Sequence, residues 1–348
     1  MAKNGLTPSH AKGVLAGPKA WAMCVGAGVS SGAFPTWDDL ARSFIRQDVG
    51  PVKGADVAKD LLKRSTLESV IEAARDRLQL DDPSFEKALS DALYAKLRAA
   101  AGDWITFSRC LNANGPGEIQ PAGWSAYLQT IRAAFPDISA LAVASTIVDA
   151  VASDHAPEAI LTFNAEPLLP SLIHAISSER GARRYLLDKQ VGALSQRRGG
   201  RIPYYFCHGL LPVPGVPRRR GRSSVDKLVF SETQYLQLGN AAYSWQSAAF
   251  YNVCANASAV FVGLSFADPN MRRWLSWMHS GRLAEIVASG GSVPAEDSTN
   301  HYWLNCRSGD PAIDGWVESS VAHLGVRLVW LQNWSQVGPT LRGMLGLP

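Results

Sequence analysis

Four stretches of the 348-residue chain each run from a short apolar segment into small or polar residues of the kinds that bind ligands or move protons. The first is WAMCVGAGVSSGAFPTWDDL, residues 21–40, in which Gly26 and Gly28 follow an apolar run. Glycines there let the backbone turn sharply and approach a ligand with no Cβ in the way, leaving main-chain N–H groups to face phosphate oxygens. The second, ILTFNAEPLL, puts Asn164 at the carboxyl end of an apolar run, where open α/β sheets bind ligands. An asparagine so placed also suits an N-cap or turn. In the third, YYFCHG, His208 closes an apolar run. An imidazole with an ordinary pKa of about 6.5 can take a proton near neutral pH, although a lone histidine after such a run also fits a structural role. The fourth, VFVGLSFADPN, carries Gly263, Ser265 and Asp268, the last of which equally suits the N-cap of a following helix.

Such segments need a sheet to bring their ends together. Short apolar runs at 22–25, 159–163, 202–207, 227–230, 259–263, 301–305 and 326–331 alternate with loops and helices, which predicts about seven strands in a doubly wound, mostly parallel, Rossmann-like α/β sheet. After the glycine turn, apolar residues at 37, 40, 41, 44 and 45 have helical spacing, with Asp38 and Asp39 in the first turn where acidic groups suit the helix dipole. Residues 50–158 read as helical throughout, apart from the breaker-rich loop NANGPGEIQPAG at 112–123. The expectation is a large all-helical insertion covering one side of the sheet, with Trp104, Trp124 and Tyr127 in its core. Residues 1–19 read as an arm or a short helix leading to the first strand, and 20–348 as one domain.

Composition bounds the remaining choices. A hydrophobic share of 47% with 18% charged residues describes a soluble globular protein. No apolar run approaches about 18 residues and the opening MAKNGLTPSH lacks a signal-peptide core, so a cytoplasmic protein is expected, with no membrane partner. Cys24, Cys110, Cys207, Cys254 and Cys306 are scattered with no C-x-x-C pair, suggesting neither a zinc ribbon nor a disulfide framework, and Cys207 reads as a small core residue. His155, His174, His279 and His301 have no partner at ligand spacing, so no metal is expected. The net charge of +4 is modest, but QRRGGR at 196–201 and PRRRGR at 217–222 concentrate it. These are solvated loops or contacts to phosphates of a ligand, partner or nucleic acid.

Against the dinucleotide fingerprint G-x-G-x-x-G, the third glycine, Gly32, falls one residue late and precedes Ala33-Phe34-Pro35, a poor match to an ordinary dehydrogenase. Gly26-Ala27-Gly28-Val29-Ser30 with Pro35 and Trp37 instead resembles the first NAD-binding motif of sirtuins. Thr162 and Asn164 resemble the family's threonine-x-asparagine-x-aspartate motif, with Glu166 in place of the aspartate, and His208-Gly209 resembles its catalytic histidine pair. Gly263, Ser265 and Asp268 resemble the glycine-x-serine-x-x-aspartate turn of bacterial sirtuin-like proteins, which approaches the adenosine half of NAD. Ser231-Glu232-Thr233-Gln234-Tyr235 is similar to a helix start of the same family, and Ser231 with Gln234 suits a capping box. The resemblance covers 20–40 and about 159–332.

That resemblance implies NAD⁺ as substrate, Asn164 and His208 as catalytic residues, and Gly26, Ala27, Gly28, Ser30, Pro35, Trp37, Thr162, Glu166, Gly263, Ser265 and Asp268 around the ligand. Standard sirtuins are deacylases carrying a four-cysteine zinc module, which these cysteines cannot build. The expected activity is therefore NAD⁺ hydrolysis to nicotinamide and ADP-ribose, as in sirtuin-like domains of bacterial antiphage systems, where NAD⁺ depletion aborts infection. By the same analogy a homo-oligomer is expected, with a partner such as a HerA-type ATPase or a short Argonaute. The alternatives are a deacylase, ADP-ribosyltransferase or cyclase, and a non-catalytic module that binds NAD or ADP-ribose.

Overall fold

The computed structural model describes residues 5–182, 186–192, 199–216, 228–240, 244–291 and 301–348. It opens with β1 (Trp21–Val25), buried at all five positions. A short 3-10 turn at Ala27–Ser30 leads to α1 (Trp37–Val49), whose start is held by a capping box between Thr36 and Asp39. Six helices follow without a strand among these described residues: α2 (Pro51–Leu61), α3 (Leu67–Arg77), α4 (Asp82–Ala100), α5 (Trp104–Asn112), α6 (Pro121–Ala134) and α7 (Ser139–Ala152). The chain then enters β2 (Ile160–Thr162), α8 (Leu168–Glu179), β3 (Leu187–Gln190) and β4 (Ile202–Phe206). Beyond these lie α9 (Glu232–Asn240), α10 (Trp245–Asn256), β5 (Ser258–Val262), α11 (Pro269–Ala288) and β6 (His301–Cys306). Last come α12 (Pro311–Ala322), β7 (Val326–Leu331) and α13 (Val337–Leu345). Prolines in the first turns of α2, α4, α6, α11 and α12 occupy positions whose N–H has no partner inside the helix.

Among the described residues seven strands form one sheet in the order β3-β4-β2-β1-β5-β6-β7, every pair parallel. This is the expected doubly wound α/β architecture, with one exchange of strands. The run at 227–230 is no strand: Leu228, Val229 and Phe230 pass beneath the sheet ends, Val229 N–H donating to the His208 carbonyl, and Lys227 lies outside the described residues. The seventh strand is β3, an edge strand paired only with β4, whose sequence LDKQ is polar, with Gln190 Nε2 donating to Asp188 Oδ2.

Alternation along the strands sorts the core into two faces. Trp21, Met23 and Val25 join a cluster with α1 to α8 and α13, while Ala22 and Cys24 join α9 to α12 on the other face. Each large side chain buried this way contributes about 1.5–3 kcal/mol of transfer free energy. Trp124 and Tyr127 are fully enclosed, and Trp104 packs at the margin of the same cluster. At the far edge Leu6 pairs with β7, its N–H donating to Leu328 and its carbonyl accepting from Trp330, and so covers part of an open sheet edge. Of the arginine-rich stretches, 217–222 lies outside the described residues, as do 196–198.

Candidate functional site at the carboxyl ends of the central strands

Strand register sets the site. Val25 of β1 lies level with Thr162 of β2 and Val262 of β5, and Thr162 with Phe206 of β4. The ladder extends one residue further, with Phe163 N–H donating to Val25 O at 2.9 Å and Cys207 N–H to Thr162 O at 2.8 Å. Asn164 and His208 therefore emerge in the same row from adjacent strands. This row lies where the chain, having built outward from β1 through β2, returns to the opposite side of β1 as β5, a topological switch point.

The two glycine turns pack on each other. Gly26 N–H donates to Val262 O at 3.0 Å and Gly28 N–H to Gly263 O at 2.9 Å. These two N–H groups, expected to face phosphate, are committed to the turn after β5. The glycines are needed for that approach: a Cβ on Gly28 would sit 2.8 Å from Gly263 Cα, and one on Gly263 would sit 2.5 Å from Val29 N. Gly263 also has φ +68°, a left-handed conformation that side chains disfavour. Ala27, Gly28 and Ser265 are exposed at the ends of β1 and β5, and Ser265 Oγ accepts from Ala267 N–H. Pro35 is half-buried, and Trp37 packs its ring 4.7 Å from that of Phe230.

Ser30, Asn164 and Glu166, all buried, form one network. Ser30 Oγ donates to Glu166 Oε1 at 2.7 Å, and Asn164 Nδ2 donates to the same oxygen at 3.1 Å and to Gly26 O at 3.2 Å. The other Glu166 oxygen accepts from Leu168 N–H at the start of α8. Asn164 N–H is taken by Thr162 Oγ1 at 3.0 Å, so the threonine of the motif orients the asparagine from inside. With both amide protons committed, Asn164 Oδ1 is left buried and without a partner among the described residues. Burial raises the Glu166 carboxyl from its ordinary 4.5 to about 7, against the lowering effect of the Ser30, Leu168 and Asn164 hydrogen bonds. The longer arm of glutamate thus reaches across to the first glycine turn.

His208, 4% exposed, is held by aromatic edges: Phe163 at 5.2 Å and Tyr235 at 5.4 Å between ring centroids, both near perpendicular. Sequence reading missed these two as ring supports; their signals were adjacency to Asn164 and the serine-glutamate-x-x-tyrosine spacing. Asp268 lies opposite, its Oδ2 at 3.4 Å from His208 Nε2, while its Oδ1 caps α11 through Asn270 and Met271 N–H. Burial acts to raise the Asp268 carboxyl, but the imidazole and the two backbone donors outweigh it and hold it below the ordinary range. Nearby, the capping box at α9 is half made. Gln234 Oε1 accepts from Phe230 and Ser231 N–H, yet Ser231 Oγ has no partner among the described residues.

Cys207 is enclosed in the same apolar cluster as Phe163, and the described cysteines are free thiols. Among the described residues no three His, Cys, Asp or Glu side chains gather as a metal site, and no helix is long and apolar enough to cross a membrane.

With this geometry in view, the family described as SIR2-like domain matches residues 159–305. The match contains Asn164, Glu166, His208, Gly263 and Asp268 and supports a sirtuin-like family with NAD-related binding. It does not include the glycine turn after β1. Among curated proteins, none matches the chain.

Proposed function

We propose that the chain is an NAD⁺ glycohydrolase that cleaves the nicotinamide–ribose bond to nicotinamide and ADP-ribose. The observation that carries this reading is the pair Asn164 and His208, level at the carboxyl ends of β2 and β4, each offering a buried polar atom with no partner among the described residues. Orphaned buried polar atoms cost about 1–3 kcal/mol each, and a bound ligand or water that completes them offsets that cost. The SIR2-like match over the same strands favours NAD⁺ as that ligand.

When bound, NAD⁺ supplies the bond that breaks, releasing neutral nicotinamide from a ribose carbon that gains oxocarbenium character before water adds. Asn164 Oδ1 is the acceptor that would hold the attacking water or a ribose hydroxyl. His208 would take the proton lost as that oxygen bonds to carbon. Ser30, Thr162 and Glu166 keep the amide turned so that its oxygen stays available. Ala27, Gly28, Pro35, Trp37, Gly263 and Ser265 would line the nucleotide. Positioning of this kind can be worth roughly 7–11 kcal/mol.

Resemblance to the NAD⁺-hydrolysing domains of antiphage systems supports a cytoplasmic, oligomeric effector that depletes NAD⁺ and is controlled by a partner protein such as a HerA-type ATPase or short Argonaute. On this reading residues 20–348 work as one NAD-binding unit, with the helices of 50–158 covering one face. The test is nicotinamide and ADP-ribose release from NAD⁺ by the purified chain, alone and with the protein encoded beside it. Asn164→Ala and His208→Ala are each expected to lower release by about 100-fold or more. NAD⁺ that binds but survives in every condition would leave a binding module instead.

A further inference from the structure

The structure gives His208 a carboxylate partner from a different part of the chain. Asp268 stands at the N-terminus of α11, and its two oxygens point to different tasks. Oδ1 accepts from Asn270 N–H at 2.8 Å and Met271 N–H at 3.4 Å, the whole of an N-cap. Helix capping leaves Oδ2 unused, and Oδ2 is the atom that faces His208 Nε2 at 3.4 Å. Both facing atoms are buried, and neither has a hydrogen-bond partner among the described residues. The ring is clamped between Phe163 and Tyr235, so it meets the carboxylate in a defined orientation.

We propose that Asp268 is a positioning residue for His208: it holds the ring proton on Nε2, so that Nδ1 is the nitrogen left to accept a proton, and it stabilises the imidazolium once formed. This rests on the NAD⁺-hydrolase reading for its catalytic meaning, though not for its geometry. A carboxylate at one imidazole nitrogen fixes the tautomer and favours the charged ring, as in hydrolase triads, without itself taking the proton. The proton balance is simple: the oxygen that attacks the ribose carbon loses H⁺ to Nδ1, the ring becomes positively charged beside the Asp268 carboxylate, and the proton later leaves to solvent. The other titratable groups described beside the ring are the Tyr235 phenol and the Cys207 thiol, both pushed upward chiefly by burial and so neutral when this transfer occurs. Asp268 thus acts through His208 rather than on the nucleotide.

The test uses the full chain labelled with ¹⁵N-histidine, in the wild type, Asp268→Asn and Asp268→Ser, with His208→Ala assigning the signal. Asparagine and serine both cap helices well, so α11 is expected to persist in either variant. The wild-type spectrum should show His208 as the Nε2–H tautomer when neutral. Both variants should mix or invert the tautomers. Nicotinamide release should fall at least ten-fold in kcat with KM changed less than three-fold. A His208 signal identical in all three proteins would overturn the proposal and leave Asp268 as a cap alone. An altered signal in a chain whose wild type releases no nicotinamide would keep the pair and discard the hydrolase.

Discussion

Glu166 is buried and Asp268 partly buried at the carboxyl end of the sheet, and their surroundings push the two carboxyls in opposite directions. Glu166 faces neutral donors, Ser30, Asn164 and Leu168 N–H, in a site where burial dominates, so its proton is held up to about pH 7. Asp268 faces an imidazole and a helix N-terminus, which together overcome burial and keep it ionised. The first carboxyl ties the turn after β1 to the turn after β2, and every oxygen has a donor. The second caps α11 with one oxygen and turns the other to His208. One carboxyl holds the turns together, and the other meets the imidazole.

Removing the scaffold carboxyl should therefore cost most. Glu166→Leu is expected to lose about 3–5 kcal/mol in urea unfolding at pH 5, because Ser30 Oγ, Leu168 N–H and one Asn164 proton lose their acceptor inside the core. Asp268→Ala should lose only about 1 kcal/mol, the value of a cap. Equal losses would erase the contrast between the two sides.

The pH dependence has opposite signs on the two sides. A carboxyl raised to about 7 in the folded chain and near 4.5 unfolded gives stability that is fully present below pH 4.5 and lost as pH rises to about 7. Relative to Glu166→Gln, the wild type should lose up to about 3 kcal/mol across that window and change little above it. Asp268, lowered on folding, contributes stability that is present at neutral pH and is lost only as pH falls through and below the ordinary carboxylate range. A wild type that gains stability relative to Glu166→Gln between pH 5 and 7 would reverse the assignment.

Gly263→Ala tests how closely the two glycine turns are pressed together. The left-handed φ and a Cβ 2.5 Å from Val29 N predict a loss of about 2 kcal/mol, read as a lower unfolding midpoint. A change below about 0.5 kcal/mol would mean that the turns part easily. Smallest of all should be Arg132→Ala. It removes the bidentate pair with Glu179 at 2.8 and 2.9 Å on an exposed helix surface, and should cost under about 1 kcal/mol and less in high salt. A larger cost there would place stability away from the strand ends altogether.

Much of the fold was legible because buried parallel strands must be short apolar runs, and six of the seven observed strands are such runs. The exception in each direction has one cause. An edge strand needs no apolar run, so LDKQ of β3 was passed over, while Leu228-Val229-Phe230 is apolar because it packs under the strand ends without joining a ladder. The site was legible as four strand ends and not as a set of partners. Ser30 and Glu166 each resemble a nucleotide-contacting position, and they hydrogen-bond to each other although 136 residues apart in the chain.

What the amino-acid order by itself determined is the alternation that makes strands and helices, the prolines and caps that begin the helices, and the residue types waiting at each strand end. Those depend on neighbours within a few positions. Which strand lies beside which, and hence that Asn164 rises level with His208 and that Asp268 meets the imidazole, was decided by parallel pairing across long crossovers. Burial then set the carboxyl of Glu166 and the carboxylate of Asp268 apart, because desolvation and donor geometry exist only once the chain has closed around them.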